Sequence, residues 1–299
     1  MSWKATLEKV AGASSDLFTV RTMNSEDLQL AIDWAATEGW NPGLDDAAAF
    51  HQADPRGFFI GELEGEPVGA MSAVRYPEEF SFIGLFIVRP EFRGPGFGSR
   101  IANIALRHTE GTLTGVDGVF EKESSYRKFG FKTAHKSYRF EYRPDWSIGH
   151  KSKETNRIRL AEEVSFDAIT RYDRTCFPSC RDAFLREWLT MPQANSLVMV
   201  DGDEITGLGT IRTCREGYKI GPLFADDVDR AADLLHALTD FATPSQPIYI
   251  DMPEINEPGM QLARALDMHE VFGTARMYNG PAPDIHLDRI FGITSFELG

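Results

Sequence analysis

The chain has 299 residues, of which 42% are hydrophobic and 25% are charged. These proportions are typical of globular proteins and exclude the disordered and fibrous classes. The length favours two domains or one large one, and no apolar run approaches the roughly 20 residues that span a bilayer. The residues after Met1 are mixed and polar, without the apolar core of a signal peptide, so we expect a cytoplasmic protein without a membrane partner.

The net charge is −14, with 16 basic and 21 acidic residues at positions 1–150 and 15 basic and 24 acidic residues at positions 151–299. Neither half has the basic character that binds phosphate backbones, so we expect no nucleic-acid partner. An acidic surface attracts cationic ligands such as amines, although it equally serves solubility. The spacing of Cys176, Cys180 and Cys214 matches no disulfide framework, zinc site or redox motif, so we expect structural thiols and no metal.

The first half of the chain reads as a mixed α/β fold. Strands are predicted at residues 17–23, 57–63, 67–74, 80–88, 113–120 and 131–142. Helices are predicted after the cap at Asn24, at residues 45–51, behind a glycine-rich turn that ends at Gly98, and at residues 124–129. The helix behind the turn carries Ile101, Ile104, Ala105 and His108 at the spacing of one face.

The second half repeats this order of elements at a period of about 140 residues, which indicates an internal duplication. Strands are predicted at residues 157–164, 196–200, 204–211, 217–224, 247–252 and 271–278. Helices are predicted at residues 165–174, 181–189, 227–241 and 259–266. We therefore expect an α/β protein with a mixed sheet and two lobes, one at residues 1–148 and one at 157–299, joined by a polar linker at 149–156.

The most informative stretch lies between the strand that ends at Val88 and the helix behind it. It contains Arg93, Gly94, Pro95, Gly96, Phe97, Gly98 and Ser99. Glycines let a backbone approach a ligand closely, and a helix N-terminus offers free N–H groups, so this turn predicts an anion site suited to a phosphate. A P-loop would end in Gly-Lys-Ser/Thr, whereas Gly98-Ser99-Arg100 lacks the lysine, and a dinucleotide-binding turn would need a third glycine at Ser99.

The pattern Arg93-x-x-Gly96-x-Gly98 after an apolar strand resembles the acetyl-CoA signature of the GNAT superfamily of N-acyltransferases. Tyr126-Arg-Lys-Phe-Gly-Phe131 resembles the tyrosine helix near that family's substrate end, and the whole chain is similar to tandem GNAT proteins of the YitH/HolE type. The resemblance implies an acetyl-CoA-dependent N-acetyltransferase that acts on a primary amine. The backbone from Arg93 to Ser99 would hold the pyrophosphate of CoA, and Phe86, Ile87 and Val88 would pair with the pantetheine arm.

The same resemblance makes Tyr126 the candidate general acid that protonates the departing thiolate. A tyrosine hydroxyl, with a pKa of about 10, is able to donate such a proton at neutral pH, although the ring could instead only pack the helix against the sheet. Direct transfer also needs a base that takes a proton from the ammonium group. The candidate carboxylates are those of Glu62, Glu78, Glu79 and Glu123, and we favour Glu79.

The second lobe departs from the acetyl-CoA pattern at the corresponding turn. Phe224-Ala-Asp-Asp-Val-Asp-Arg230 has no glycines, and its carboxylates would repel a phosphate. We therefore expect this lobe to be degenerate and to bind no CoA. Asp251 and Glu254 could hold a cationic acceptor there, or could simply be exposed acids.

Two other classes of function stay open in the sequence. The chain could be a catalytically silent protein that binds or senses acyl-CoA with the same turn, or a structural interaction module that binds no CoA. The pattern names no acceptor, so a small-molecule amine and a peptide amine are both possible. It also leaves open whether the protein is a monomer or a homodimer.

Overall fold

The structure, a computed structural model, describes residues 17–144 and 155–299. Most of the predicted linker at 149–156, and residues 1–16 of the first predicted lobe, lie outside the described residues. The strands are β1 (Phe18–Thr22), β2 (Phe58–Leu63), β3 (Glu66–Tyr76), β4 (Phe80–Val88), β5 (Leu113–Val119), β6 (Lys132–Tyr142), β7 (Ile158–Leu160), β8 (Ala194–Asp201), β9 (Glu204–Thr213), β10 (Tyr218–Ala225), β11 (Ile248–Pro253), β12 (His269–Tyr278) and β13 (Ile290–Gly292). The helices are α1 (Ser25–Thr37), α2 (Asp46–Ala53), α3 (Phe97–His108), α4 (Glu123–Lys128), α5 (Phe166–Cys176), α6 (Asp182–Trp188), α7 (Val228–Thr239) and α8 (Glu257–Ala265).

All thirteen of these strands belong to one sheet, in the order β1-β2-β3-β4-β5-β12-β6-β11-β10-β9-β8-β7, with β13 paired to β10. The predicted hairpins β2–β3 and β8–β9 are present. Strands β4 and β5 are parallel, as are β10 and β11, and the remaining pairs are antiparallel. The mixed α/β fold with a repeated order of elements is therefore confirmed.

The two halves of the chain exchange strands at the centre of this sheet. Strand β12, from the second half, lies between β5 and β6, while β6, from the first half, pairs with β11. Periodicity could predict these strands but not their partners. The predicted division into two lobes therefore describes stretches of sequence, and neither stretch forms its half of the sheet without a strand from the other.

Two buried ion pairs fix this exchange. Asp117 on β5 lies opposite Arg276 on β12, with Nη2···Oδ2 at 2.6 Å and Nε···Oδ1 at 2.8 Å. Asp251 on β11 lies opposite Arg139 on β6, with Nε···Oδ1 at 2.6 Å and Nη2···Oδ2 at 2.8 Å. Breaking such a buried bidentate pair leaves an uncompensated charge, which strongly disfavours the separated strands. The same carboxylate–guanidinium arrangement thus recurs in both halves.

Helices cover both faces of the sheet beside the first half's strands. Helices α1, α2 and α6 pack on one face through residues such as Leu28, Phe50 and Trp188. Helix α3 packs on the other face through Ile101 and Ala105. Its buried side is completed by Phe97 and Ala102, whereas the predicted member Ile104 is exposed and the predicted member His108 is half-buried, where its Nε2 lies 2.6 Å from Asp54 Oδ2.

The residues from 290 to 299, here called the threaded segment, have no predicted element, yet all ten are buried. Strand β13 begins the segment beside β10, and Ile293 N–H donates to the Asp251 carbonyl at 2.8 Å. The chain then crosses to the first half's core, where the Tyr76 hydroxyl donates to the Leu298 carbonyl at 3.1 Å. Arg181 Nη2 also donates to Thr294 Oγ1 at 2.9 Å. One short run of chain therefore touches both halves.

Two smaller features complete the fold. The strand predicted at residues 157–164 is wrong beyond Leu160, because Ala161–Glu163 forms a 3-10 turn. The Glu163 side chain accepts a hydrogen bond from the Leu160 N–H and so stabilises this turn. Among the helices of the described ranges, none is long and apolar enough to cross a membrane.

Candidate active site

Strands β4 and β5 separate partway along their length. They pair from Phe80–Leu113 to Ile83–Val116, and the pairing stops there. On the other side of β4, a bulge leaves Leu85 and Phe86 without register partners on β3. Leu85 also has a φ of 45°, a strained value for a side chain of this size, and such strain is typical of functional sites.

The gap between β4 and β5 opens into a cavity of about 620 Å³. Its walls come from the second half of β4, from β5, from the α4 region, and from distant segments of both halves. The lining includes Gly84, Leu85, Phe86, Ile87 and Val88 of β4, Val116 and Val119 of β5, Ser125, Tyr126 and Phe129 of the α4 region, and Glu38, Trp40, Phe272, Thr274, Phe296 and Glu297. Arg93, directly before the glycine-rich turn, also lines the cavity, whereas residues 94–99 are not among the lining residues. The predicted residues Phe86–Val88, Arg93 and Tyr126 are thus brought to one place.

The glycine-rich turn lies at the N-terminus of α3. Gly94 and Gly96 have φ values of 109° and 92°, which favour glycine, and a Cβ on either would meet no atom within 4 Å. Arg100 N–H makes the first bond of the helix, to the Gly96 carbonyl at 3.2 Å. The N–H groups of residues 97–99 precede it and have no intrahelical acceptor. Open space, free donors and the helix dipole together suit an anion such as a pyrophosphate.

The Arg93 side chain, beside the glycine-rich turn, is not a free cation. Its Nε donates to the Val88 carbonyl at 2.7 Å, and its Nη2 lies 2.5 Å from Glu38 Oε1 at the end of α1. The guanidinium charge is therefore already matched. Backbone donors of the turn, rather than this side chain, offer the free hydrogen-bonding capacity.

Tyr126 lies against the sheet and also borders the cavity. Its ring covers Gly118, where a Cβ would come within 2.6 Å of Cε2, and meets Phe131 edge to face. Within the described residues, no hydrogen bond to its hydroxyl is present. Burial raises the pKa of Tyr126 to about 12, so the hydroxyl is protonated at neutral pH. Packing and proton donation are both compatible with this position.

The carboxylates proposed as general base do not line the cavity. Glu79 is exposed in the β3–β4 turn, and five residues of strand, about 16 Å, separate it from Gly84. Glu62 is paired with Arg21, Glu78 with Arg174, and Glu123 with Arg127. The structure therefore does not place Glu79 beside Tyr126, because the turn that precedes β4 lies at the paired end of the strand and the cavity at the splayed end.

Sequence reasoning missed the cavity wall opposite the glycine-rich turn. Trp40 follows α1, Phe272 and Thr274 lie on β12, and Phe296 and Glu297 belong to the threaded segment. Only Glu297 carried a signal, as the one carboxylate in an otherwise apolar and small-residue run from Ile290 to Leu298. Residues this far apart in sequence meet only through the tertiary fold.

The corresponding gap in the second half is closed. Strands β10 and β11 pair from Tyr218–Ile248 to Ile220–Ile250, and β13 then lies beside β10, at Leu223–Gly292 and Phe224–Ile290. At the start of α7, the Asp227 side chain accepts from the Arg230 N–H at 2.9 Å, and Asp226 accepts from the Tyr172 hydroxyl at 3.1 Å. Main chain fills the gap, and carboxylates occupy the helix N-terminus.

The structure also places Asp251 and the three cysteines, which the sequence analysis considered as candidate site residues. Asp251 is not an exposed acid, because it is buried against Arg139, which holds the pKa of that carboxyl below its usual value. All three cysteines are free thiols, and burial raises the pKa of Cys176 to about 12. No group of three or more potential metal ligands is present in the described part of the chain.

Two family models match the chain. The acetyltransferase (GNAT) family model matches residues 25–131, and an acetyltransferase (GNAT) domain model matches residues 169–292. Together they cover most of both halves, and they include the cavity's glycine-rich turn and its closed counterpart.

Individual relatives agree with these matches. Holothin acyltransferase of Pseudoalteromonas sp. (strain SANK 73390) is 29% identical over 286 residues, which cover 94% of this chain and 95% of that protein. The uncharacterized N-acetyltransferase YitH of Bacillus subtilis (strain 168) is 25% identical over 175 residues, covering 57% of this chain and 60% of that protein.

Among solved structures, a putative acetyltransferase from Pyrococcus horikoshii has the same fold, with a TM-score of 0.80 at 19% identity, over 96% of this chain and 97% of that one. The repeated order of elements, the two matching domain models and the Pseudoalteromonas relative agree. The chain therefore carries two GNAT acetyltransferase domains in tandem, which mark it as an acyltransferase.

Proposed function

We propose that the protein transfers an acetyl group from acetyl-CoA to a primary amine by direct transfer in a ternary complex. The observation that carries this proposal is the cavity in the β4–β5 gap. It is lined by Arg93, directly before the glycine-rich turn, by Tyr126, and by a wall that includes Trp40, Phe272, Phe296 and Glu297. A phosphate-bearing thioester and an amine would thus meet along one edge of β4.

The glycine-rich turn would hold the CoA pyrophosphate through the backbone of Arg93 to Ser99. Gly98 allows close approach here, because a Cβ on it would come within 3.1 Å of Val88 Cγ2 and 3.3 Å of the Phe86 ring. From the turn, the pantetheine arm would extend along Phe86, Ile87 and Val88, which lie beyond the last β4–β5 pair. Residues 1–148 would then form the acetyl-CoA-binding domain.

Tyr126 would act as general acid. As the tetrahedral intermediate collapses, its C–S bond breaks and the sulfur takes the hydroxyl proton of Tyr126. The hydroxyl at the cavity wall stays protonated and so has a proton to give, although its raised pKa makes it a weaker acid than an ordinary tyrosine. The opposite end of the cavity, lined by Trp40, Phe272 and Phe296, would receive the acceptor, whose ammonium group suits both aromatic rings and carboxylates.

Residues 157–299 would serve as a degenerate domain that binds no CoA. This proposal is supported by β13, which lies where the pantetheine arm lies in our proposal for the first half, and by Asp227 at the helix N-terminus. The domain would instead contribute Phe272, Thr274, Phe296 and Glu297 to the acceptor end of the cavity.

Turnover with a panel of small-molecule and peptide amines tests the proposed activity. Purified protein is mixed with acetyl-CoA and each amine, and free thiol is followed with time. We expect thiol release that depends on one class of amine, with the acetylated amine found by mass spectrometry. Binding of acetyl-CoA without turnover on any amine would instead favour the silent acyl-CoA-binding alternative.

A further inference from the structure

The threaded segment lies directly against the bulged part of β4. An ideal Cβ built on Gly84 would lie 2.3 Å from the Glu297 carbonyl oxygen and 2.9 Å from its carbonyl carbon. Glu297 therefore passes within contact distance of the residue that precedes Leu85, where β4 leaves β5. This position is at the edge of the cavity where the acyl carbon would lie if pantetheine follows β4.

The Glu297 carboxyl group has no partner but remains open to the cavity. The residue is only 4% exposed, and no described residue donates a hydrogen bond to its carboxyl oxygens. In the described chain, the side-chain oxygens that have neither a hydrogen-bond partner nor accessible surface belong to Ser72, Ser137 and Thr274. The oxygens of Glu297 are not among them, so they retain accessible surface, and that surface faces the cavity that the residue lines.

Charged groups from four elements surround this carboxyl. Arg139 on β6 and Arg212 on β9 are already bound to Asp251 and to Asp46 of α2, respectively. Lys219 on β10 donates to the Trp40 carbonyl at 3.3 Å and has no carboxylate partner among the described residues. The Lys219 charge is therefore available to stabilise an ionised Glu297 from a distance, without blocking its oxygens.

Thr274 lines the same end of the cavity and is 2% exposed, but its hydroxyl, which has no hydrogen-bond partner in the described chain, has no accessible surface either. The Glu297 carboxyl, and not this hydroxyl, is therefore the group that a ligand could reach. A carboxylate without a partner, beside Trp40, Phe272 and Phe296, suits an amine with an apolar body.

We propose that Glu297 is the general base that takes the proton from the acceptor's ammonium group. This inference rests on the proposed acetyl transfer and supplies the group that the sequence prediction sought in Glu79. Burial of Glu297 raises the pKa of its carboxyl, whereas Lys219, Arg139 and Arg212 lower it and Asp46 opposes them. A carboxylate with a raised pKa is a stronger base toward an ammonium group.

The protons of the reaction balance as follows. The ammonium group gives one proton to Glu297, and the free amine forms a C–N bond with the thioester carbonyl carbon. The C–S bond then breaks, and the thiolate takes the Tyr126 proton. The second proton lost by nitrogen restores Tyr126, while Glu297 releases its proton to solvent. The products are the amide, CoA thiol and one proton.

Glu297→Gln tests this role because glutamine keeps the shape and cannot accept the proton. With the best amine of the panel, we expect kcat to fall by about 10²–10⁴, with little change in acetyl-CoA affinity by calorimetry. Glu270→Gln is the matched control, since Glu270 is exposed on β12 and does not line the cavity. We expect it to keep the wild-type rate. Glu297→Asp should recover part of the activity.

The pH dependence of kcat separates a base from a structural residue. The wild type should lose activity as pH falls and Glu297 becomes protonated. Lys219→Met removes a cation that lowers the Glu297 pKa, so the acidic limb should move to higher pH. A residue that only supported the fold would leave this limb in place. This measurement also decides the matter if Glu297→Gln does not fold.

The outcomes distinguish the two proposals. A wild type that acetylates no amine overturns the proposed function and this inference with it. A wild type that turns over, together with a folded Glu297→Gln variant of unchanged kcat, overturns the role of Glu297 and leaves the acetyl transfer intact. A Lys219→Met profile that coincides with the wild-type profile also overturns the role of Glu297.

Discussion

The two gaps between parallel strands, β4–β5 and β10–β11, lie at corresponding places in the two halves and differ in what occupies them. In the first, the strands separate around a cavity of about 620 Å³. In the second, β13 lies beside β10 and fills the space with main chain. Unpaired strand edges that face each other must be satisfied by something. The protein satisfies one pair of edges itself and leaves the other for a ligand.

The helices behind the two gaps show the same difference. Helix α3 begins after two left-handed glycines and offers free N–H groups, whereas α7 begins at Asp227, whose side chain accepts from Arg230 N–H. The N-terminus of α3 is open to an anion, whereas the N-terminus of α7 is already capped by the Asp227 carboxylate. The second gap therefore differs from the first in two ways at once, by charge at the helix N-terminus and by main chain at the strand edge.

The largest expected effect is on kcat, from a substitution of Tyr126, which lies at the wall of the open β4–β5 gap. Tyr126→Phe keeps the ring over Gly118 and removes the hydroxyl, so we expect kcat to fall by about 10²–10⁴. Steady-state kinetics and thermal melts on the same preparation measure activity and folding together. A variant that melts normally at full kcat would show that water or another group protonates the thiolate.

The pH profile sharpens this prediction. Because burial raises the pKa of Tyr126 to about 12, the donor form persists as pH rises from 7 to 10. Activity should therefore show no alkaline loss from this group in that range. A decline with an apparent pKa near the ordinary tyrosine value of about 10 would contradict a buried Tyr126 hydroxyl as the donor.

Gly84→Ala should disturb the open gap through the threaded segment. The added methyl would overlap the Glu297 carbonyl oxygen, so the segment must move, at a cost of about 1–3 kcal/mol in the free energy of unfolding. Chemical denaturation measures it. Gly259→Ala in α8 is the control, because its Cβ would come no closer than 3.3 Å to Asn256 and alanine favours a helix. Equal stability losses would argue against the contact.

Gly96→Val tests the open helix N-terminus. The valine must adopt a φ near 92° or rebuild the turn, so we expect acetyl-CoA to bind at least tenfold more weakly, about 1.4 kcal/mol. Gly202→Val is the matched control. Gly202 also has a positive φ and open space around an added Cβ, but it lies in the β8–β9 turn. Calorimetric titration that gives equal affinities for wild type and Gly96→Val would refute the pyrophosphate assignment.

The last prediction is that removing the charges at the start of α7 leaves the acetyl-CoA stoichiometry unchanged. It separates the two features that close the second gap, the carboxylates at the helix and the main chain of β13. Replacing Asp226 and Asp227 by glycine removes the charges at α7 but leaves β13 beside β10. We expect calorimetry to give one acetyl-CoA per chain in both wild type and variant. A second equivalent in the variant would mean that charge alone closes the gap, and two equivalents in the wild type would contradict the degenerate domain.

The parts that sequence reasoning predicted correctly are local ones. The glycine-rich turn, the strand before it and the helix behind it depend on neighbouring residues, and the resemblance carried by Arg93, Gly96 and Gly98 led to the family. The carboxylates at Asp226 and Asp227 similarly pointed to a helix end unsuited to phosphate. Glu79, favoured as the general base, does not line the cavity, because proximity to β4 in sequence placed it at the end of the strand that stays paired.

By itself, the sequence determined the periodicity of the strands and helices, the repeated order of the two halves and the chemistry of the turn at Gly94–Gly98. Only the tertiary structure decided that β6 and β12 exchange places, that β13 fills one gap, and that Glu297 reaches the other. The reason is physical. Side-chain pattern specifies which face of a strand is buried, whereas the choice of partner depends on contacts such as Asp117–Arg276 between residues 159 positions apart.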